Sequence, residues 1–205
     1  MGRWCLNLLS DYLPSGQPVL DASVIINLLG TKEPVAIFDA LGHKCLIEQR
    51  TLREVCRHPV PGLLAEPVLA DLISRDLLEV VRMTDDEYEV YLSYVSPPLG
   101  TRLDDGESAA LAVAGRGACV VIDERRARRR AAAAVPNIIV VSTLRLVLTS
   151  AHRAGWGAAR AKSLVEQAIH HSRMAAPKEE AALLASLLQP TWQPDLLVTC
   201  NGRKW

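Results

Sequence analysis

Only one phenylalanine, Phe38, occurs in 205 residues, and aromatic residues make up 4% of the chain. The core must therefore be assembled mainly from aliphatic side chains, which suits helices packed closely on a sheet. The apolar share, 49%, is large enough for a core that can exclude water from a site. An excess of one charge is also missing: 23 basic residues balance 23 acidic ones. That argues against a global basic field of the kind that attracts nucleic acid, and leaves room for a local patch. The cysteines, Cys5, Cys45, Cys56, Cys119 and Cys200, are odd in number and none are in C-x-x-C spacing. Neither a disulfide framework nor a zinc site is expected, and a reducing, cytoplasmic setting is favoured. No apolar run is long enough to span a bilayer, and Met1-Gly2-Arg3-Trp4-Cys5-Leu6 does not open a signal peptide. No membrane partner is expected.

What is present is a regular alternation. Short Val/Ile/Leu/Cys runs at 18–20, 45–47, 77–83, 119–122 and 138–141 are separated by helical patterns. Helices are expected over 22–29 (with Gly30 as a left-handed cap), 34–41 (closed by Gly42), 51–57, 63–74, 84–94, 105–115, 124–134, 143–154 and 158–171. Pro97-Pro98-Leu99-Gly100 interrupts the middle of the chain. Such an order predicts an α/β protein with a parallel sheet covered on both faces. Residues 1–16 read as a lead-in, 17–172 as the domain, and 173–205 as a C-terminal helix (about 179–188) and a tail whose Trp192 and Trp205 read as packing anchors.

Acids recur where the apolar runs stop. Asp21 follows Pro18-Val19-Leu20, and Asp123 and Glu124 follow Cys119-Val120-Val121-Ile122. Glu54 lies on the helix after the second run, and Glu107 sits in Asp104-Asp105-Gly106-Glu107 at the head of an Ala-rich helix. In open parallel sheets, ligands bind beyond the carboxyl ends of the strands. Four acids from four elements could converge there, and such a cluster repels itself unless protons or a metal neutralise it. An all-oxygen site suits Mg²⁺ or Mn²⁺. Each acid also has a purely local role available. Asp21 and Asp123 could cap the helices behind them, Thr51-x-x-Glu54 is a capping box, and Glu107 could complement a helix dipole.

Taken in order, these motifs resemble the PIN-domain nucleases, a family of metal-dependent ribonucleases that includes VapC-like toxins. The motifs are Val19-Leu20-Asp21-Ala22-Ser23, Thr51-Leu52-Arg53-Glu54-Val55, Gly106-Glu107-Ser108-Ala109-Ala110 and Val121-Ile122-Asp123-Glu124-Arg125-Arg126-Ala127-Arg128, followed by Val141-Ser142-Thr143-Leu144. The resemblance covers roughly residues 17–172 and is similar to a branch of nucleic-acid-binding PIN proteins. It implies a three-layer α/β/α fold with a central, mainly parallel sheet, and a Mg²⁺- or Mn²⁺-dependent endoribonuclease activity. Asp21, Glu54, Glu107 and Asp123 would hold the metal and carry catalysis. Ser23 and Thr143 would support them, with Asp105 and Glu124 as alternate ligands. The partners it implies are an RNA substrate, an antitoxin protein and a second copy of the chain as a homodimer. The alternative is a scaffold of the same fold that binds nucleic acid or a partner protein without cutting.

Arg125, Arg126, Arg128, Arg129 and Arg130 crowd the helix after the fourth motif. They read either as an RNA-binding face or as a solvated one, with Ala127, Ala131 and Ala134 turned inward. Arg128 is also spaced to pair with Glu124 one turn earlier.

Overall fold

The computed structural model describes residues 9–98, 102–134 and 138–189. Five strands, β1 (Pro18–Leu20), β2 (Cys45–Glu48), β3 (Leu78–Val81), β4 (Cys119–Val121) and β5 (Ile139–Val141), form one sheet. Its order is β3-β2-β1-β4-β5, and every pairing is parallel. The chain winds outward from β1 through β2 to β3, then returns to the other side of β1 for β4 and β5. The order therefore reverses at β1, and the crevice between β1 and β4 is the switch point at which open α/β sheets bind ligands.

The strands separate two cores by their two-residue alternation. Leu20, Cys45, Ile47, Cys119 and Val121 face α1 (Ala22–Gly30), α2 (Pro34–Leu41), α8 (Thr143–Arg153) and α9 (Ala158–Ser172). Val19, Leu46, Val120 and Ile122 face the other way, against α6 (Asp105–Ala112), α7 (Arg125–Ala134) and Tyr94 of α5 (Asp85–Val95). The result is the three-layer α/β/α arrangement expected from the sequence, with the sheet wholly rather than mainly parallel. Two further helices, α3 (Gln49–Arg53) and α4 (Ala65–Ser74), flank the β2–β3 end, and α10 (Ala181–Leu188) follows α9.

Several local features follow the sequence pattern. Thr84 and Glu87 form the capping box that opens α5. Gly42 closes α2 at a φ of 67°, where a side chain would be strained. Ala127 and Ala131 are fully buried on α7, whereas the Ala134 side chain lies outside the described residues, as do Trp192 and Trp205. Of the helix-breaking 97–100 segment, Leu99 and Gly100 also lie outside them; α5 ends at Val95, before the prolines.

Three expectations are corrected. Gly30 is not a left-handed cap but the last helical residue of α1; the cap is Thr31. A Cβ at Gly30 would stand 2.7 Å from Ser172 Oγ and 3.4 Å from Ala168 Cα, so the glycine is there for close approach of α1 to α9. Gly30→Ala is expected to destabilise the fold by about 1–3 kcal/mol through overpacking, measurable by urea denaturation. A neutral effect would mean that α9 shifts freely.

The second correction concerns α3. It spans Gln49–Arg53 rather than 51–57, because Glu48 caps it by accepting from the Arg50 N–H, two residues before the expected start. Thr51 is therefore inside the helix, and its hydroxyl donates to the Gly106 carbonyl at 2.9 Å instead of forming a capping box with Glu54. Glu54 ends the helix as its C-cap. Third, Arg128 does not pair with Glu124. Its guanidinium donates to the Ile122 carbonyl at 2.8 Å and to Glu179 at 3.1 Å, drawn there by the segment that follows α9.

The described parts of both flanking segments, 9–16 and 173–189, lie against the domain. The Tyr12 N–H donates to Thr149 Oγ1 at 3.0 Å, and Asp11 is paired with Arg153 at 2.7 Å. At the other end, Met174, Leu183 and Leu187 join the first core. Glu180, 2% exposed, accepts from Ser142 Oγ at 2.5 Å and from Arg145 Nε at 2.7 Å. A buried carboxylate is tolerated there because a cation and a hydroxyl satisfy it. Among the described residues no helix is long and apolar enough to cross a membrane.

Candidate active site

Asp21 is the first residue after β1 and the N-cap of α1. Its Oδ2 accepts from the Ser23 N–H at 3.2 Å and from the Ser23 hydroxyl at 2.5 Å. The capping role and a site role are not exclusive, since one carboxylate has lone pairs for both. Asp21 is buried, and desolvation, only partly offset by the Ser23 bonds, raises its carboxyl above the ordinary range; the Asp104 charge adds to this.

Asp123 stands across the switch point, two residues past β4. It does not cap α7, as one local reading of the sequence allowed. Its Oδ1 accepts from the Thr143 N–H at 2.8 Å, and its Oδ2 from Thr143 Oγ1 at 2.5 Å and Asn27 Nδ2 at 2.8 Å. The cap is supplied by Glu124, whose Oε2 accepts from the Ala127 N–H at 2.7 Å. Desolvation raises Asp123, and the Asp21 charge works in the same direction. Asn27 carries no motif of its own. The one signal for it was a polar side chain inside the apolar run Val24-Ile25-Ile26-Asn27-Leu28-Leu29, six residues after Asp21.

Glu54 and Glu107 come from the α3–α6 side. Glu54 is solvent-exposed at the end of α3, but its Oε1 accepts from the Gly106 N–H at 2.7 Å. A Cβ at 106 would stand 2.5 Å from Glu54 Oε2, so a larger residue there would push the Glu54 carboxylate out of this position. Glu107 is 8% exposed and reaches back to the Asp104 N–H at 3.4 Å. Its desolvation pushes the carboxyl up to about 7, aided by the charges of Asp21, Glu124 and Asp104. Glu54 is raised as well, by desolvation first and then by Asp21 and its aspartate neighbours. Asp105 is turned aside, accepting from the Tyr91 hydroxyl.

A pattern emerges from these shifts. Asp21 acts electrostatically on Glu54, Glu107 and Asp123, of which the last two are strongly desolvated and the exposed Glu54 only in part. Repulsion of this kind is what a bound cation relieves, and the donor atoms are all oxygens. Among the described residues, however, no three acidic, histidine or cysteine side chains already form a group able to hold a metal ion. Sequence reasoning also passed over Glu48, an acid that ends β2 and is buried at 3% exposure; its carboxylate is used for the α3 cap.

The fold and this edge define a class: a doubly wound α/β domain with desolvated carboxylates at the switch point. Residues 17–188 match the family model DUF3368, a PIN domain, and the chain belongs to the PIN-domain family. It thus has a nuclease-type fold. No curated protein and no solved structure matches the chain.

Proposed function

We propose that this PIN domain is a Mg²⁺- or Mn²⁺-dependent endoribonuclease that hydrolyses RNA phosphodiester bonds. The observation that carries this reading is the shared repulsion of Asp21 with Glu54, Glu107 and Asp123 at the carboxyl edge, three acids that no Arg or Lys hydrogen bond or ion pair neutralises among the described residues and that a divalent ion would satisfy. Asp21, Glu54, Glu107 and Asp123 would hold the metal. A divalent ion bound there supplies Lewis acidity and a bound water of lowered pKa. The chain's own part is orientation. Ser23 fixes the Asp21 carboxylate, and Thr143 and Asn27 fix that of Asp123 from both oxygens. Gly106 lends its N–H to Glu54, which otherwise faces solvent and can swing toward the others. The arginines of α7 would hold the RNA backbone.

A second reading is a PIN scaffold that binds nucleic acid or a partner protein without cutting. It is favoured by the observation that, among the described residues, the acids do not already stand as a three-ligand group. A toxin role, in which an antitoxin protein would occupy the acidic edge, is an extension of the first reading, as are a homodimer and a cytoplasmic location.

Cleavage of a labelled RNA with and without Mn²⁺ separates the two readings. Asp123→Asn is expected to lower the rate by at least about 100-fold, beyond what the loss of an outer-shell partner costs. Glu124→Gln is expected to keep the rate within about threefold, because a Gln oxygen still accepts from the Ala127 N–H. Metal-independent cleavage, or a larger loss from Glu124→Gln, would reject the assignment.

A further inference from the structure

Glu180 is a buried carboxylate with no local task. It stands directly before α10, yet its side chain makes no cap bond to that helix. Its oxygens reach elements far back in the chain. Oε2 accepts from Ser142 Oγ at 2.5 Å, and Oε1 accepts from Arg145 Nε at 2.7 Å and lies 4.0 Å from the Arg128 guanidinium.

These contacts lead to Asp123 from two sides. The Ser142 hydroxyl, having donated to Glu180, accepts from the Arg145 N–H at 3.2 Å and so caps α8. The Ser142 carbonyl accepts from the Leu146 N–H at 3.0 Å. The N–H of that same peptide belongs to Thr143 and donates to Asp123 Oδ1 at 2.8 Å. A peptide is planar, so fixing Ser142 fixes the direction of this N–H. On the other side, Arg128 donates to the Ile122 carbonyl at 2.8 Å, and that carbonyl is part of the peptide leading into Asp123. Glu179, at 3.1 Å, shares the hold on Arg128. One buried carboxylate thus stands behind both the peptide that carries Asp123 and the peptide that grips it.

We propose that Glu180 is a positioning residue for Asp123: it holds the Ser142–Thr143 peptide and, with Glu179, the Arg128 side chain, so that the Asp123 carboxylate keeps one orientation. A buried ion pair adds little net stability over apolar residues of the same volume, so a fixed arrangement is what this one supplies. The inference rests on the nuclease reading for the use made of Asp123. It adds that the segment after α9 is part of the site, through a residue that no sequence motif singles out.

Glu180→Leu removes both acceptors. Arg145, half-buried and over the Tyr12 ring at 4.6 Å, keeps a place without its partner, and Arg128 keeps Glu179. In the full, metal-free chain, NMR hydrogen exchange of the Thr143 amide is expected to quicken at least about tenfold relative to the amides of the central strand β1. Calorimetry should show Mn²⁺ affinity falling about tenfold, the lower end of what an outer partner of a metal ligand costs. The kcat of RNA cleavage should fall with it, while KM stays within about twofold. Asp11→Asn breaks a comparable ion pair, with Arg153, and should lower stability without moving the Thr143 or Mn²⁺ readout. Ser142→Ala cuts the same route at a smaller side chain, and should reproduce the Thr143 effect even if Glu180→Leu does not fold. Thr143 exchange like wild type in either folded variant would overturn the positioning role. Faster Thr143 exchange in a protein that never cleaves RNA sinks only the nuclease reading, whereas undiminished cleavage by folded Glu180→Leu sinks only the positioning role.

Discussion

Asp21→Asn is expected to abolish metal-dependent RNA cleavage, by at least about 100-fold, while raising the melting temperature of the metal-free protein at pH 8. The opposite signs are the point. Asparagine caps a helix as well as aspartate does, so the start of α1 should survive the change. What is lost is a negative charge that is buried, held high by desolvation, and repels Glu54, Glu107 and Asp123. Removing it relieves three other carboxylates at once, which stabilises the empty site. The same removal takes a hard oxygen ligand from the proposed metal site, and with it the affinity for the ion. A purely structural aspartate would behave differently, giving no gain in stability and no change in cleavage. Unchanged cleavage by Asp21→Asn, together with no binding of divalent ions by calorimetry, would falsify the nuclease assignment.

The second large effect is the pH dependence set by Glu107. Its carboxyl ordinarily titrates near 4.5, and in the folded chain it is pushed up to about 7 by desolvation, with Asp21 and Glu124 contributing. Below about pH 4.5 the group is protonated whether the chain is folded or not, and it places no burden on folding. Between about 4.5 and 7 the unfolded chain releases the proton while the folded chain retains it. Stability must then fall as the pH rises, by up to about 3 kcal/mol at about 1.36 kcal/mol per pKa unit. Above about 7 this contribution is flat. Urea denaturation of the metal-free protein from pH 4.5 to 8 should show this descending limb, and Glu107→Gln should make it shallower, leaving the part owed to the other raised acids, Asp21, Glu54 and Asp123. Added Mn²⁺ should reverse it, because a cation that binds the ionised carboxylates stabilises the folded state most where they are ionised. A Mn²⁺-induced rise in melting temperature that is as large at pH 5 as at pH 8 would show that Glu107 does not share the site.

These outcomes bear on an edge that was only partly visible in the chain itself. The alternation of short aliphatic runs with helical spacing gave both the layer count and the parallel sheet, because the central runs are buried on both faces and each crossover needs a helix. Capping signals within one turn were legible in the same way at Thr84 and Gly42. They failed at Thr51, where a stronger and earlier cap at Glu48 moved the start of α3, and at Gly30, where a tight contact with α9 rather than a turn required glycine.

The order of Asp21, Glu54, Glu107 and Asp123 along the chain was determined by the sequence alone, since each follows or heads an element whose direction the hydrophobic pattern sets. Which oxygen points where was decided only by the tertiary structure. Asn27 meets Asp123 across 96 residues, Gly106 meets Glu54 across 52, and Thr143 meets Asp123 across 20. Asp123 and Glu124, adjacent and chemically alike, are told apart by such contacts: one is held by the first residue of α8 and by α1, and the other by the helix it caps. Local hydrogen bonds leave a periodic trace in sequence because their partners lie within a turn. Bonds between elements leave none, because their partners are brought together only when the sheet closes around β1.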